Sequence, residues 1–252
     1  MNYQLRGIND RTVSCKSYGS ARGYFINRVG TQPSTAQAGY CSFIDCEHVG
    51  DASDTTSENA FQVSGDPGTP VPFALIQDCR FQRNGSTAPF IRVDDADVQI
   101  INPQIVGPNS TSGNYFDFLG NEGAIIRGRG GYANNIGSHA SASYRPFRGD
   151  EPGTHFDWKG YDIRTESGKF AAVVNAVNAS GGLECTAFIR DVTTNIAPSA
   201  LTSVGTQITN GIWVDINGGV DVAYNGNANT EAYSTSGNKT LSISRRGGAL
   251  VW

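Results

Sequence analysis

Little in this chain favours helices. Only one of its 252 residues is methionine and 17% are charged, whereas 31 are glycine. Long amphipathic windows rich in Ala, Leu, Glu and Lys are missing, and the composition suits short strands and tight turns instead. No run of about 18 apolar residues is present, so no membrane-spanning helix is expected. The start, Met1-Asn-Tyr-Gln-Leu-Arg6, lacks the charged-then-apolar order of a signal peptide. The five cysteines include no C-x-x-C spacing, which argues against a disulfide framework, a zinc site or an iron–sulfur site. Small buried apolar side chains are the expected role, and neither cofactor nor metal ligand set is assigned. A net charge of −4 argues against a nucleic-acid partner, and the arginines of Arg127-Gly-Arg129 and Arg245-Arg246 read as solvated turns. The phosphate-binding loop, the nucleophile elbow and the H-E-x-x-H pattern are all absent, and the only histidines are His48, His139 and His155.

What is present is a repeat. Val13-Ser-Cys15-Lys-Ser-Tyr18-Gly19 aligns with Ile44-Asp-Cys46-Glu-His-Val49-Gly50 at an offset of 31 residues. Gln77-Asp-Cys79-Arg-Phe81 follows at an offset of 33, and Ile101-Asn102-Pro103-Gln104-Ile105 extends the series with Asn102 in the aspartate place. A second series runs through Phe25, Phe61, Phe90, Phe116, Phe156 and Phe188, closing on Trp213; the phenylalanine steps of 36, 29, 26, 40 and 32 average about 33. Interleaved series with one irregular period point to a coil with more than one strand per turn.

The predicted fold is all-β: a right-handed parallel β-helix of seven to eight rungs, with residues 1–252 as a single domain and residues 133–151 as a long loop excursion. Successive rungs stack at about 4.8 Å, so equivalent side chains form ladders, and residues alternate inward and outward along each strand. By that alternation Phe116, Phe118, Phe156 and Trp158 share one side, and Asp117 and Asp157 the other. A β-sandwich also suits short strands and glycine turns but predicts no aligned cysteine ladder. His48 falls in the outward phase. No capping helix is visible from Cys15 to the final Ala249-Leu-Val-Trp252. Partners, other subunits or further chain are therefore expected to cover the ends.

The strongest chemical pattern is Asp-apolar-x-Gly, at Asp117-Phe-Leu-Gly120, Asp157-Trp-Lys-Gly160 and Asp215-Ile-Asn-Gly218. Stacked on neighbouring or next-neighbouring rungs, the Asp117 and Asp157 carboxylates would lie about 5 or about 10 Å apart, which brackets the separations glycosidases use. That makes the two the candidate catalytic acid and base or nucleophile. The same aspartates also fit turn chemistry or a cation site. Asp94-Asp95-Ala-Asp97 reads as a turn rather than a calcium loop. For sugar binding the candidates are Tyr115, Tyr132, Trp158 and Tyr161, with His155 beside Asp157, because rings take the apolar faces of sugars while polar groups take their hydroxyls.

These ladders resemble the right-handed parallel β-helix of pectate-lyase-like proteins, and especially bacteriophage tailspikes. The resemblance implies a homotrimeric virion surface spike or decoration protein, made in the host cytoplasm, contacting other virion proteins and recognising a host cell-surface polysaccharide. It leaves three roles open: glycan recognition without cleavage, polysaccharide depolymerisation by outward aspartates as a hydrolase or lyase, and a purely structural virion module.

Overall fold

A computed structural model describes residues 3–5, 10–19, 22–27, 41–50, 59–65, 71–83, 89–107, 112–135, 141–151, 153–165, 170–176, 186–195, 200–204, 212–216 and 241–244. All of its named strand pairs are parallel, and the described residues include no helix. The chain winds into a parallel β-solenoid. One sheet stacks β1 (Tyr3–Leu5), β4 (Arg22–Asn27), β7 (Asn59–Ser64), β10 (Ile91–Asp94), β14 (Phe118–Gly120), β18 (Phe147–Gly149), β20 (Ala172–Ala176) and β22 (Ala200–Val204) in that order. A second stacks β2 (Arg11–Val13), β5 (Cys41–Ile44), β8 (Val71–Gln77), β11 (Ala96–Ile101), β15 (Ile125–Arg129), β19 (His155–Thr165), β21 (Thr186–Thr194), β23 (Ile212–Ile216) and β24 (Leu241–Ser244). The third face carries β3 (Lys16–Tyr18), β6 (Glu47–Val49), β9 (Arg80–Gln82), β12 (Gln104–Val106) and β16 (Tyr132–Asn135), which pairs with the second half of β19.

Two expectations are corrected. Turns with three separate strands and described side chains on each face number about four, β4–β6, β7–β9, β10–β12 and β14–β16, against the seven to eight uniform rungs expected. Further along, the corner between the second and third faces is absorbed into one continuous strand, first in β19 and then in β21, so the rungs cease to be uniform. Nor is 133–151 one long excursion. It holds the end of β16, then β17 (Ser141–Tyr144), which pairs with β13 (Ser112–Tyr115), and then β18.

The cysteine repeat maps onto a corner of the coil. Between the second and third faces each turn places one residue in the left-handed region: Ser14, Asp45, Asp78, Asn102, Gly130, Gly160 and Asp191, with φ of 52°, 53°, 53°, 51°, 65°, 74° and 55°. Glycine reaches this region without strain, and Asn or Asp enters it at modest cost because the short polar side chain bonds locally. Here those side chains bond up and down the corner. Ser14 Oγ donates to Asp45 at 2.7 Å, and Asn102 Nδ2 donates to Asp78 at 2.9 Å. Backbone amides of Ser14, Asp45, Asp78 and Asn102 each donate to the next turn, at 2.9 Å. The residue after each corner points inward, which buries Cys46 and Cys79 in register beneath the half-buried Cys15.

Aromatic rings fill the interior. Tyr24, Phe61, Phe90, Phe118 and Phe147 form one stack, with successive centroids 5.0, 5.0, 6.2 and 5.1 Å apart. Burying each such ring contributes about 1.5–3 kcal/mol. The phenylalanine series read from the sequence therefore mixed two faces. Phe156 lies in the second sheet, and Phe147 continues the first-sheet column. Gly128 pairs with Trp158, and a Cβ there would sit 2.2 Å from the indole, so only glycine leaves room for the ring.

Candidate functional site

The outward face of the second sheet, across β11, β15, β19 and β21, gathers chemically active groups. Its strands stack in register, so outward residues form three columns. Asp97, Ile125 and His155 make the first; Gln99, Arg127, Asp157 and Phe188 the second; Ile101, Arg129, Lys159 and Arg190 the third. Ion pairs cross these columns as a staircase. Arg127 Nη1 reaches both Asp97 oxygens at 2.5 Å, and Arg190 Nη2 bonds Asp157 one column and two strands further on. Lys159 Nζ lies 3.9 Å from Asp191 at the corner. Arg129 is exposed and forms no ion pair among the described residues.

Beside this lattice stands a partly exposed aromatic side chain. Phe188 is 40% exposed, with the His155 ring 6.0 Å away. Partial burial, with help from Arg127, holds the His155 imidazole below its usual range, while Asp157 and Asp97 pull the other way. Tyr132, 36% exposed, lies on the third face, next to Asp162 in register.

Asp117 is not on this surface. It lies at the turn before β14, inside the coil, with no solvent exposure, and it is bonded on several sides. Arg83 Nη2 donates to Asp117 Oδ1 at 3.2 Å and to the Phe116 carbonyl at 2.8 Å. Tyr161 donates to Oδ2 at 2.8 Å, and the Tyr144 hydroxyl bonds the same oxygen. Burial pushes the Asp117 carboxyl up, against the pull of the Arg83 guanidinium and the two phenols. The same burial drives the Tyr144 and Tyr161 phenols well above their ordinary range. Such a buried, hydrogen-bonded quartet ties several turns together.

The expected pairing of Asp117 with Asp157 is therefore not formed: one carboxylate is interior and bonded to Arg83, the other outward and bonded to Arg190. Strand alternation failed for Asp117 because it sits in a turn, where Phe116, Asp117 and Phe118 are all buried. Of the expected sugar-binding residues, His155 lies in the surface patch and Tyr132 is exposed on the third face. Trp158 and Tyr161 are core, the first tilted against Phe118 at 4.2 Å and the second edge-on to it at 5.4 Å. The Tyr115 side chain lies outside the described residues, as do those of Asp215 and Trp213.

Sequence reasoning missed Phe188 as a surface group, since it was counted in a core series. It also missed the charged column, whose members come from three strands. His48, expected outward, is wholly buried. The run Asp94–Asp97 is consumed by the fold. Asp94 accepts from Ser64, Arg92 and Asn121, Asp95 takes a corner at φ 47°, and Asp97 holds Arg127. Burial alone would raise the Asp94 carboxyl, but the donors around it bring it below its usual value. Among the described residues no three His, Cys, Asp or Glu side chains are placed to hold a metal ion. No family model, curated protein or solved structure matches the chain.

Proposed function

We propose that this solenoid is the glycan-recognition module of a virion surface spike, acting as a homotrimer with other virion proteins and gripping a host cell-surface polysaccharide on the outer face of its second sheet. The observation that carries the reading is Phe188, a half-exposed ring set among ionic side chains and flanked by His155. An apolar ring within a fixed lattice of donors and acceptors suits a sugar, which has an apolar face and a rim of hydroxyls. The parallel strands hold these groups rigidly, so little side-chain order is lost on binding. Recognition without cleavage is favoured over depolymerisation because the interior position of Asp117 leaves Asp157 without its expected carboxylate partner.

The test is direct binding of the folded chain to host capsular polysaccharide and lipopolysaccharide by calorimetry, with reducing-end release followed in parallel. Binding that weakens about tenfold in Phe188→Ala, a loss of about 1.4 kcal/mol, with the unfolding midpoint unchanged, supports the reading. A folded chain that binds no glycan sinks it, and new reducing ends would move the protein to the depolymerases.

A further inference from the structure

The third column of the candidate face stacks three cations. Arg129, Lys159 and Arg190 are Cα partners on the consecutive strands β15, β19 and β21. Strand stacking separates neighbours by about 4.8 Å, so the column spans roughly 10 Å along the solenoid axis. Like charges placed directly opposite across strands destabilise a sheet. Here the repulsion is only partly offset. Arg190 is held by Asp157, Lys159 has Asp191 at the limit of ion-pair range, and Arg129 has no ion pair among the described residues. Much of the column remains open to solvent, for the Lys159 side chain is 65% exposed and that of Arg190 42%. In a chain of net charge −4, such a column is a local reversal of sign.

We infer that the Arg129–Lys159–Arg190 column binds an acidic polysaccharide lying along the solenoid axis, its carboxylates taken by successive cations and one of its sugars packed on Phe188. This rests on the glycan-recognition reading and names the class of glycan. Phe188 and Arg190 are two residues apart on β21, so ring and guanidinium face the same side and can hold one sugar and its carboxylate together. Acidic sugars repeat their charge once per residue or per short repeat, and the column offers one cation per strand. A nucleic acid fits less well, because its phosphates advance about 3.4 Å per nucleotide along a duplex, out of step with strands at about 4.8 Å.

The experiment compares polyglucuronate, the neutral glucan of the same linkage, and single-stranded DNA as probes of the 252-residue chain, at low and high salt. Polyglucuronate is expected to bind, with the neutral glucan at least about tenfold weaker, and binding should fall steeply with salt as exposed charges are screened. Arg129→Gln with Lys159→Gln should cost polyglucuronate about three- to tenfold, at the upper end of exposed pair energies, while leaving the unfolding midpoint in place. Equal binding of charged and neutral glucans, unaffected by the double substitution but lost in Phe188→Ala, overturns the acidic preference and keeps glycan recognition. No binding of either glucan or of host polysaccharide overturns both. Tighter binding of DNA than of polyglucuronate overturns the assignment of ligand class.

Discussion

Ser17 Oγ lies 2.6 Å from His48 Nδ1, with both side chains sealed inside the coil. The imidazole stacks on Phe81 at 5.6 Å, and its Nε2 has no partner among the described residues. Gly23 makes room for it, since a Cβ there would lie 2.6 Å from Nδ1. Burial pushes the His48 imidazole down to about 4 from its ordinary 6.5. The unfolded chain thus takes up this proton below about pH 6.5, and the folded chain only near pH 4. Stability from the neutral ring is complete above pH 6.5 and is lost as pH falls towards 4, to a total of roughly 3 kcal/mol. Urea midpoints at pH 7.5 and 4.5 check this. His48→Asn should show a smaller drop between the two, and an identical drop would refute the assignment.

Gly128→Ala should destabilise the chain by about 1–3 kcal/mol, the range for overpacking, because the new methyl meets the Trp158 ring. Combining it with Trp158→Phe should cost less than the sum of the two single changes. Additive costs in that double-mutant cycle would mean that the two residues do not compete for space.

Asp117→Ala strands the Arg83 guanidinium in the interior, and breaking a buried pair on one side costs about 3–5 kcal/mol. Replacing both, as Arg83→Met with Asp117→Leu, should recover a large part of that loss. Denaturant titration separates the outcomes, and a mild effect of Asp117→Ala alone would show that Arg83 finds other partners.

At the left-handed corner, Asp45→Gly should be nearly neutral, since glycine needs no compensation there. Asp45→Ala should cost about 1–2 kcal/mol, the penalty of that conformation for an ordinary residue. Reversal of that order in thermal melts would contradict the backbone assignment.

The corner was legible where its residue types recur. Ser14-Cys15, Asp45-Cys46 and Asp78-Cys79 keep similar letters for similar conformations, and Asn102-Pro103 keeps half of them. Gly130-Gly131 and Gly160-Tyr161 keep the conformation and change both letters, so nothing in the sequence marks them as the same place. His48 was expected in the outward phase and lies inward. The corner before Cys46 sets the phase, with Cys46 in, Glu47 out and His48 in. The charged column was invisible because Arg129, Lys159 and Arg190 stand 30 and 31 residues apart and meet only through strand register. Asp157 was placed correctly outward by alternation, and Asp117 was not, because alternation holds within strands and stops at turns.

Seven residues occupy the left-handed corner along the coil, and successive ones stand 24 to 33 residues apart in the chain. The corner therefore acts as an index mark. Extra length is taken up at the other two corners and does not change the pitch, which hydrogen bonding between turns fixes. Such a molecule resembles a threaded rod: its thread is constant, and loops of different size can be mounted on two of its edges without disturbing the alignment of the charged column between them.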